Sequence, residues 1–571
     1  MSHLDLDTHV QEVRIFQSRA MAAMIFVLLL IAALLSRLTY LQLTQHEHFA
    51  TRSDDNRLKL VAVPPTRGLI YDRNGVLLAE NRPSYGLEIT PEQVKNLPET
   101  LDRLAEVIEI READMRRFEK LRRRKPSFEG IPIRFHLTDE EVARFAVNRH
   151  HFPGVDIQAR LSRFYPAGNE LVHVVGYVGR IDERELQRVD QANYAGTSHI
   201  GKVGVEAAYE DALHGTVGHR RVEINASGRV VKVIEEESSI PGETLYLTID
   251  SRLQKVAEQA LGDNNGSVVA IDVTNGDLLA MVSKPSYNPN LFVNGIDSRS
   301  YGRLRDDRSR PLFNRALRGQ YPPGSTVKPF FGLASLEMGV NTADRVMYAG
   351  PHYQLPGDTH RYRDWKKTGH GLVDMRKSII QSCDVYFYDL AVRMGIDRMH
   401  DYMSAFGFGS KTEIDIGGEV SGLFPSREWK RRRKGVAWYP GETVITGIGQ
   451  GYTLVTPLQL ASATATLANN GKGFHPRLVQ GIENPVSGEL VAQPPRIRKP
   501  LDIQQQSHWD AVFDSMIGVI HAPNGTARRI SRGIDFQIAG KTGTAQVFTV
   551  AQDEEYDEDE VARHLRDHAL F

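Results

Sequence analysis

The sequence is poor in cysteine, with a single residue of this type, Cys383, among 571. One thiol excludes an intramolecular disulfide framework and any zinc or iron–sulfur site built from several cysteines. It does not decide the compartment, because a large exported domain can exist without disulfides. The sequence also lacks an excess of either charge, since 70 Lys and Arg residues stand against 71 Asp and Glu residues. Nothing therefore favours nucleic acid as a partner.

The overall composition is that of a globular protein, with 41% hydrophobic and 25% charged residues. This excludes wholesale disorder, collagen and low-complexity sequence. At roughly 150 residues per domain, the length predicts about three domains.

One long hydrophobic run is present near the N-terminus. Residues 20–36 carry no charge, and the apolar character continues to Leu43. Roughly 24 residues in a helix cover about 36 Å, which exceeds a hydrocarbon core of about 30 Å. We predict a cytoplasmic tail over 1–19 and a transmembrane anchor over 20–43. A cleaved signal peptide is disfavoured because the run is long and the preceding segment is not basic.

The rest of the chain is expected to form two regions, 44–240 and 241–571, divided at a polar, turn-rich segment. An Asn-Gly pair between apolar runs predicts a hairpin over 68–79 in the first region. Charged helices are predicted over 99–124 and 138–147.

The second region begins with a helix that Asp250 or Ser251 can cap. A second Asn-Gly pair predicts a hairpin over 267–282. Further elements are expected as helices over 326–338, 373–395 and 454–469 and a strand over 536–547. Helices and an antiparallel sheet separated along the chain indicate an α+β fold.

Ser325 and Lys328 form a Ser-x-x-Lys motif after Pro322-Pro-Gly. Residues three apart share a helix face, so the amine can reach the hydroxyl. A serine hydroxyl becomes a nucleophile when a neighbouring base removes its proton. A lysine is such a base only when its pKa falls from about 10.4 towards neutrality. The motif could arise by chance, but no other lysine in the sequence has a serine three residues before it.

Two further motifs follow in order. Ser382-Cys383-Asp384 stands in a polar break after a helical segment, and Lys541-Thr542-Gly543-Thr544 stands in a predicted strand. A glycine there lets a ligand approach the backbone, and the lysine and threonine side chains could hold a carboxylate.

Ser-x-x-Lys, Ser-x-Asp and Lys-Thr-Gly in this order resemble the motifs of the penicillin-recognising serine acyltransferases. Residues 67–79, 163–168 and 175–179 resemble the non-catalytic pedestal of class B penicillin-binding proteins, and 447–461 resembles their stretch between the second and third motifs. The chain is identified as a member of that class. The Ser-x-Asp variant and residues 362–367 resemble its cell-elongation branch.

The resemblance implies a peptidoglycan D,D-transpeptidase that cross-links stem peptides through a serine acyl-enzyme during cell-wall elongation and that β-lactams acylate. Ser325 would attack the carbonyl between the two terminal D-alanines, Lys328 would be the base, and Ser382 would relay a proton. Asp384 stands where the family has an asparagine, so a carboxylate replaces an amide. Lys541 would compensate for its charge.

The same resemblance assigns the substrate contacts. Thr542 and Thr544, beside Gly543, would bind the substrate carboxylate, and the backbone N–H groups of Ser325 and Thr544 would form the oxyanion hole. No metal or organic cofactor is required for this chemistry. The implied partners are lipid-linked precursor strands with their stem peptides, β-lactams and a RodA-type membrane glycosyltransferase.

The implied architecture is a single-pass anchor in the bacterial inner membrane, an elongated pedestal or dimerisation-type domain over 44–240 and a periplasmic transpeptidase domain over 241–571. In such a domain another strand and a terminal helix follow the Lys-Thr-Gly strand. Residues 568–571 read as the start of that strand, so the chain is expected to be truncated at its C-terminus.

A possible structural zinc site lies beside the second motif. Asp358, Asp364, His370 and Cys383 are potential zinc ligands in one stretch, together with His360. The alternative is a set of polar loop residues around one small buried thiol, and the irregular spacing favours this alternative.

Other functions would share parts of this pattern. A β-lactam-hydrolysing relative would share the nucleophile, and a β-lactam sensor or a scaffold that activates a membrane glycosyltransferase would share the anchor and pedestal. The basic run 430–434 is interpreted as a solvated loop rather than a contact with lipid phosphates.

Overall fold

The computed structural model describes residues 4–45, 57–123, 126–225, 230–502, 504–547, 559, 561–562 and 565–571. The chain divides into two compact units. The first comprises residues 1–64, 192–196 and 217–239, and the second comprises 65–191, 197–216 and 240–571.

Helices and short strands alternate along most of the chain and are numbered in chain order. The α-helices are α1 Leu4–Thr39, α2 Leu97–Val107, α3 Glu112–Arg122, α4 Asp139–Asn148, α5 Val172–Val175, α6 Glu183–Leu186, α7 Gly204–Ala208, α8 Glu210–His214, α9 Ser251–Leu261, α10 Asn290–Val293, α11 Ser298–Asp306, α12 Arg315–Arg318, α13 Lys328–Glu337, α14 Met375–Ile380, α15 Asp384–Met394, α16 Ile396–Ala405, α17 Arg427–Lys434, α18 Pro440–Thr446, α19 Pro457–Ala468 and α20 Gln506–His521. The strands are β1 Leu58–Val63, β2 Ile70–Tyr71, β3 Leu77–Ile89, β4 Ile131–Arg134, β5 Val155–Phe164, β6 Tyr177–Arg180, β7 His199–Val203, β8 Gly218–Ile224, β9 Val230–Glu237, β10 Thr244–Leu247, β11 Gly266–Ile271, β12 Leu278–Lys284, β13 Met347–Ala349, β14 His352–Tyr353, β15 Tyr362–Arg363, β16 Gly371–Val373, β17 Val479–Glu483, β18 Leu490–Ala492, β19 Gly543–Ala545 and β20 His568–Leu570.

The first unit contains the predicted anchor. The helix α1 continues into a π-helical turn at Tyr40–Thr44, and the segment Glu12–Leu43 is long and apolar enough to cross a membrane, with a mean hydropathy of 2.5 over its most apolar window. This fits the single-pass anchor predicted over 20–43. The same unit holds an antiparallel sheet in the order β1-β8-β9.

The second unit contains the long antiparallel pair of β3 and β5, whose register runs from Glu80↔Phe164 to Ile89↔Val155. A core of buried apolar side chains that includes Phe118 and Phe145 packs beside it. The single helix predicted over 99–124 is wrong. The chain leaves the helix at Ile108, which is extended and buried, and α3 starts anew after Arg111.

One sheet joins the two predicted regions, in the order β18-β17-β10-β2-β3-β4, with β5 also on β3. Its pairs are antiparallel except β2 with β10, which is parallel and departs from the antiparallel expectation. Both Asn-Gly hairpins are confirmed, as β2–β3 and β11–β12. Asp250 caps α9 as predicted, accepting hydrogen bonds from the backbone N–H groups of Arg252 and Leu253.

A large helical core lies around α13, α14, α15 and α20, and its buried side chains include Phe330, Tyr386, Phe387 and Trp509. The helix predicted over 373–395 is wrong. The segment starts in β16, and the helical part is interrupted between α14 and α15, where Ser382 has a φ of +56°.

Two other predictions need correction. The strand expected over 536–547 is limited to β19, which pairs with β20 and so confirms the strand expected from residue 568. The basic run 430–434 lies in the helix α17 and not in a loop.

Candidate active site

Ser325 lies in a short 3-10 helix, Gly324–Val327, directly before α13. Gly324 has a φ of +54°, and a Cβ at this position would lie 2.3 Å from the carbonyl oxygen of Thr544. Its backbone N–H donates to the carbonyl oxygen of Gly449 at 3.0 Å. Only glycine allows these backbones to approach so closely, and the contact fixes the segment that carries the serine.

Lys328 is fully buried, and its ammonium group faces the second motif. Its Nζ donates to the carbonyl oxygen of Ser382 at 2.8 Å and lies 2.7 Å from Asp384 Oδ1. It also lies 3.3 Å from Ser382 Oγ. Among the described residues, no hydrogen bond forms on the Ser325 hydroxyl, so the direct contact that the spacing allowed is not made in this state. Catalytic hydrogen bonds often tighten only when substrate is bound.

The hydroxyl of Ser382 lies between two lysines. Lys541 Nζ is 2.9 Å from Ser382 Oγ and 2.8 Å from the carbonyl oxygen of Thr542. A non-glycine residue at positive φ is strained, and such strain is retained where the surroundings enforce it. The Ser382 backbone is therefore bent to place this hydroxyl between the amines.

The pKa of Lys541 is well below its ordinary value. Burial disfavours its charged form, and the nearby Lys328 ammonium acts in the same direction, while the Asp384 carboxylate opposes both. Two amines and one carboxylate therefore share a buried space, and this arrangement favours proton exchange through the Ser382 hydroxyl.

The third motif lies against the nucleophile segment through Gly543. A Cβ at this glycine would lie 2.7 Å from Thr326 Cγ2. The Thr542 hydroxyl is 2.7 Å from that of Thr526, and Thr544 is exposed. The structure thus brings the three predicted motifs together, with the threonines open to a ligand.

Sequence reasoning missed the loop 447–451 as a part of this site. Gln450 Nε2 donates to the carbonyl oxygen of Thr544 at 3.0 Å, and Gly449 contacts Gly324. The glycine spacing of this loop had only suggested a family resemblance. The physical role of these glycines is to let the loop form one side of the site.

Trp365 was also missed. Its indole N–H contacts the carbonyl oxygens of Ser382 and Gln381 at 3.1 and 3.2 Å, and its backbone N–H donates to Asp384 Oδ2 at 3.2 Å. The residue is nevertheless 59% exposed. A rigidly held aromatic ring therefore borders the second motif.

Three of the four predicted zinc ligands are brought together. Ligand atoms of Asp364, His370 and Cys383 all lie within 4.8 Å of one another, and all three residues are buried. Asp358 lies outside this cluster, and its carboxylate accepts the backbone N–H of His360 instead. Burial and the Asp364 carboxylate raise the pKa of the Cys383 thiol to about 12. This thiol is therefore no nucleophile.

Two family models match the chain. The penicillin binding protein transpeptidase domain matches residues 266–565, and the penicillin-binding protein dimerisation domain matches residues 62–247. The chain belongs to the penicillin-binding protein transpeptidase family.

The sequences of relatives match this penicillin-binding protein over nearly its full length. The peptidoglycan D,D-transpeptidase MrdA of Escherichia coli strain K12 is 42% identical over 567 residues, which cover 99% of this chain and 89% of the relative. The structure of a complex between penicillin-binding protein PBP2 and MreC from Helicobacter pylori has a TM-score of 0.76 at 30% identity, covering 90% of this chain and 91% of that one. A structure of a peptidoglycan synthase complex, described as coordinating polymerization and crosslinking, has a TM-score of 0.67 at 29% identity, covering 92% and 89%.

Proposed function

We propose that this penicillin-binding protein is a peptidoglycan D,D-transpeptidase that acts in cell-wall elongation through an acyl-enzyme on Ser325. The observation that carries the proposal is the Ser382 hydroxyl held between Lys328 and Lys541 next to the Ser325 segment. Such an arrangement serves to move a proton between a nucleophile and a leaving group.

In the first step Ser325 Oγ attacks the carbonyl carbon between the terminal D-alanines of a stem peptide. For this attack, Lys328 first passes a proton through the Ser382 hydroxyl to the Lys541 amine, and the freed Lys328 amine then accepts the Ser325 hydroxyl proton. The C–N bond breaks, D-alanine leaves, and its amine receives a proton through Ser382. In the second step an amine of a neighbouring strand attacks the acyl carbon, its proton returns through Lys328 to Ser325 Oγ as the C–O bond breaks, and the new amide is the cross-link.

The remaining residues bind and orient the substrate. The side chains of Thr542 and Thr544 hold the terminal carboxylate, with the Lys541 amine nearby, and Gly543 lets the substrate approach the strand. The backbone N–H groups of Ser325 and Thr544 stabilise the developing oxyanion. Asp384 pairs with Lys328 and fixes its direction.

Covalent labelling tests this function. We expect a fluorescent penicillin to form a stable adduct with the wild-type chain and none with Ser325→Ala, as followed by intact mass. Rapid loss of the adduct would point to the β-lactam-hydrolysing alternative. A chain that is folded but never acylated would favour a sensor or scaffold.

We further propose a structural metal, with zinc as the best fit, at Asp364, His370 and Cys383. The chemistry of one carboxylate, one imidazole and one thiol suits zinc, and the 4.8 Å limit on their separations is compatible with a tetrahedral site. A metal here would stabilise the segment around Ser382. It takes no part in the proton steps above, which require no cofactor.

Metal analysis of the purified chain tests this site. We expect about one zinc per chain, lost in His370→Asn and retained in the control Asp358→Asn, whose carboxylate lies outside the cluster. Equal metal content in all three proteins would contradict the site.

We propose a RodA-type membrane glycosyltransferase as a partner of the first unit. Val230, Val231, Val233 and Ile234 of the edge strand β9 are 43–64% exposed, and this sheet follows the membrane helix. A complex of polymerization and crosslinking activities is known for a relative. Replacing Val231 and Val233 by lysine should reduce co-purification of the glycosyltransferase without changing penicillin acylation.

We propose an inner-membrane orientation with residues 1–19 in the cytoplasm, the pedestal over 44–240 and the transpeptidase domain over 241–571 in the periplasm. Stem peptides, precursor strands and β-lactams meet the protein on that side. Protease added to intact spheroplasts should digest the body of the protein; full protection would contradict this orientation.

A further inference from the structure

The helix α17 (Arg427–Lys434) contains six cationic residues and one acid in eight positions. Arg427, Lys430 and Arg432 form ion pairs. Arg431, Arg433 and Lys434 are exposed, and no carboxylate of the described residues lies within ion-pair distance of them. A helix C-terminus favours cations, but neighbouring like charges repel one another. This surface therefore suits an anionic partner.

A buried ion pair holds α17 in place. Lys430 is 1% exposed, and its Nζ lies 2.5 and 2.6 Å from the two carboxylate oxygens of Glu442 in α18. The same Nζ lies 4.3 Å from the ring centroid of Tyr439 and 5.8 Å from that of Trp438. The exposed cations are thus carried on an anchored helix.

The anchored helix adjoins the candidate active site. The Trp429 ring of α17 lies 5.2 Å from the Tyr452 ring. Tyr452 directly follows the loop 447–451, whose Gln450 contacts Thr544 of the third motif. The helix that carries the cations is therefore packed next to the loop that forms one side of the site.

A cavity of about 850 Å³ opens between α16, α17 and the segment leading into α18. Arg427, Arg431, Asp397 and Asp401 line it, and Arg427 pairs with Asp397 at 3.3 Å, which leaves Arg431 and Asp401 to face a ligand. Both signs of charge in one cavity suit a ligand that carries carboxylate and ammonium groups together. The volume is that of an ordinary ligand site.

We propose that α17 and this cavity form a second binding site for a peptidoglycan strand, separate from the reacting peptide. Stem-peptide carboxylates would contact Arg431, Arg433 and Lys434, and one stem with a free amine would enter the cavity. The inference rests on the proposed function, because a cross-linking enzyme must hold a second strand near its acyl-enzyme.

The test uses the full chain in detergent and purified uncross-linked peptidoglycan strands. We expect the triple variant Arg431→Gln, Arg433→Gln, Lys434→Gln to bind strands about tenfold more weakly, with a smaller salt dependence. The charge-matched control Arg299→Gln, Arg303→Gln, Arg305→Gln in α11 should bind as wild type does. Asp401→Asn should reduce binding of strands with free amines more than that of N-acetylated strands.

Several outcomes would overturn the proposal. The first is unchanged strand binding in the triple variant, and the second is an equal loss of strand binding in the α11 control. The third is a triple variant that loses only its binding to vesicles of phosphatidylglycerol and phosphatidylcholine, which would indicate a lipid surface instead. Penicillin acylation of Ser325 is measured in parallel and should stay unchanged. A wild-type chain that is never acylated contradicts the proposed function, whereas altered strand binding alone tests this inference.

Discussion

At the scale of single residues, the site depends on one carbonyl oxygen that accepts two hydrogen bonds. The carbonyl oxygen of Ser382 accepts hydrogen bonds from both the Lys328 ammonium and the Trp365 indole N–H. A carbonyl oxygen has two lone pairs and can accept both. The position of the lysine is therefore coupled to an exposed tryptophan outside the nucleophile segment.

Replacing Trp365 by phenylalanine keeps an aromatic ring but removes the indole donor. We expect the rate of Ser325 acylation by penicillin to fall about three- to tenfold, the typical effect of one lost hydrogen bond. The control Tyr348→Phe, at an exposed aromatic residue of β13, should leave the rate unchanged. An unaltered rate in Trp365→Phe would show that the indole donor does not position the lysine.

The residues of the site were predictable to the extent that they lie in short motifs. Lys328, Ser382, Asp384 and Lys541 meet in space as expected, whereas Ser325 Oγ makes no hydrogen bond to any described residue, and the roles of all five stay a prediction. Trp365 and Gln450 were not found, because their contacts depend on how distant segments fold back. Asp358 was grouped with the zinc ligands because proximity in sequence was mistaken for proximity in space.

At the scale of elements, glycines decide how closely the nucleophile segment and β19 pack. Gly324 and Gly262 have the same φ of +54°, but a Cβ at Gly324 meets the Thr544 backbone, whereas nothing lies within 4 Å of one at Gly262. Comparing alanine substitutions at these two glycines therefore separates the cost of backbone strain from the cost of a steric clash inside the site.

We expect Gly324→Ala to lower the acylation rate by more than about tenfold, because the alanine Cβ displaces β19 from Ser325. Gly262→Ala should lose some thermal stability but acylate normally. The two rates are compared at equal folded fractions. Similar rates in both variants would mean that the close approach is not needed.

The ion pair under α17 gives a second prediction at this scale. Lys430→Met leaves the Glu442 carboxylate without its cation, and breaking such a buried pair costs about 3 kcal/mol. The double variant Lys430→Met, Glu442→Gln removes both charges and should recover part of the loss. Thermal unfolding of the wild type, of Lys430→Met, of Glu442→Gln and of the double variant measures the coupling between the two residues. Purely additive losses of stability would argue against the ion pair.

The elements show where sequence patterns are reliable. The Asn-Gly hairpins formed as predicted, because the turn itself demands these residues. The helix break at Ile108 was missed, because apolar spacing continues through it and a buried contact ends the helix. The polar break at Ser382 was noted, but the helix was still predicted to run over 373–395, and the strained backbone that interrupts it was not foreseen.

At the scale of the whole molecule, the part of the chain that matches the dimerisation domain packs against the part that matches the transpeptidase domain. His173 of α5 lies edge-on to Tyr287, with ring centroids 5.5 Å apart, and its backbone carbonyl accepts a hydrogen bond from Asn314. Burial lowers the pKa of His173 to about 4. Folding therefore keeps this imidazole neutral at the contact between the two parts.

This histidine makes stability depend on pH. Its folded pKa of about 4 is below the unfolded value of about 6.5, so the unfolded state binds more protons in this window. Its contribution is complete above about pH 6.5 and is lost as the pH falls towards 4, by about 3 kcal/mol in total.

We expect His173→Phe, which keeps the aromatic contact, to lose less thermal stability than wild type between about pH 7 and about pH 5. His508→Phe is the control, at a half-buried histidine that pairs with Glu337 away from this contact. Parallel pH curves for wild type and His173→Phe would contradict the assignment.

The site is assembled from segments far apart in the chain, and this has a consequence for biosynthesis. Lys541 contacts Ser382 across 159 positions. A ribosome adding roughly 5–20 residues per second needs about 8–30 s to cover that distance. During this interval the nascent chain carries Ser382 but lacks Lys541 and the strand β19. We therefore expect that a chain cannot be acylated by penicillin until the ribosome has added these last residues.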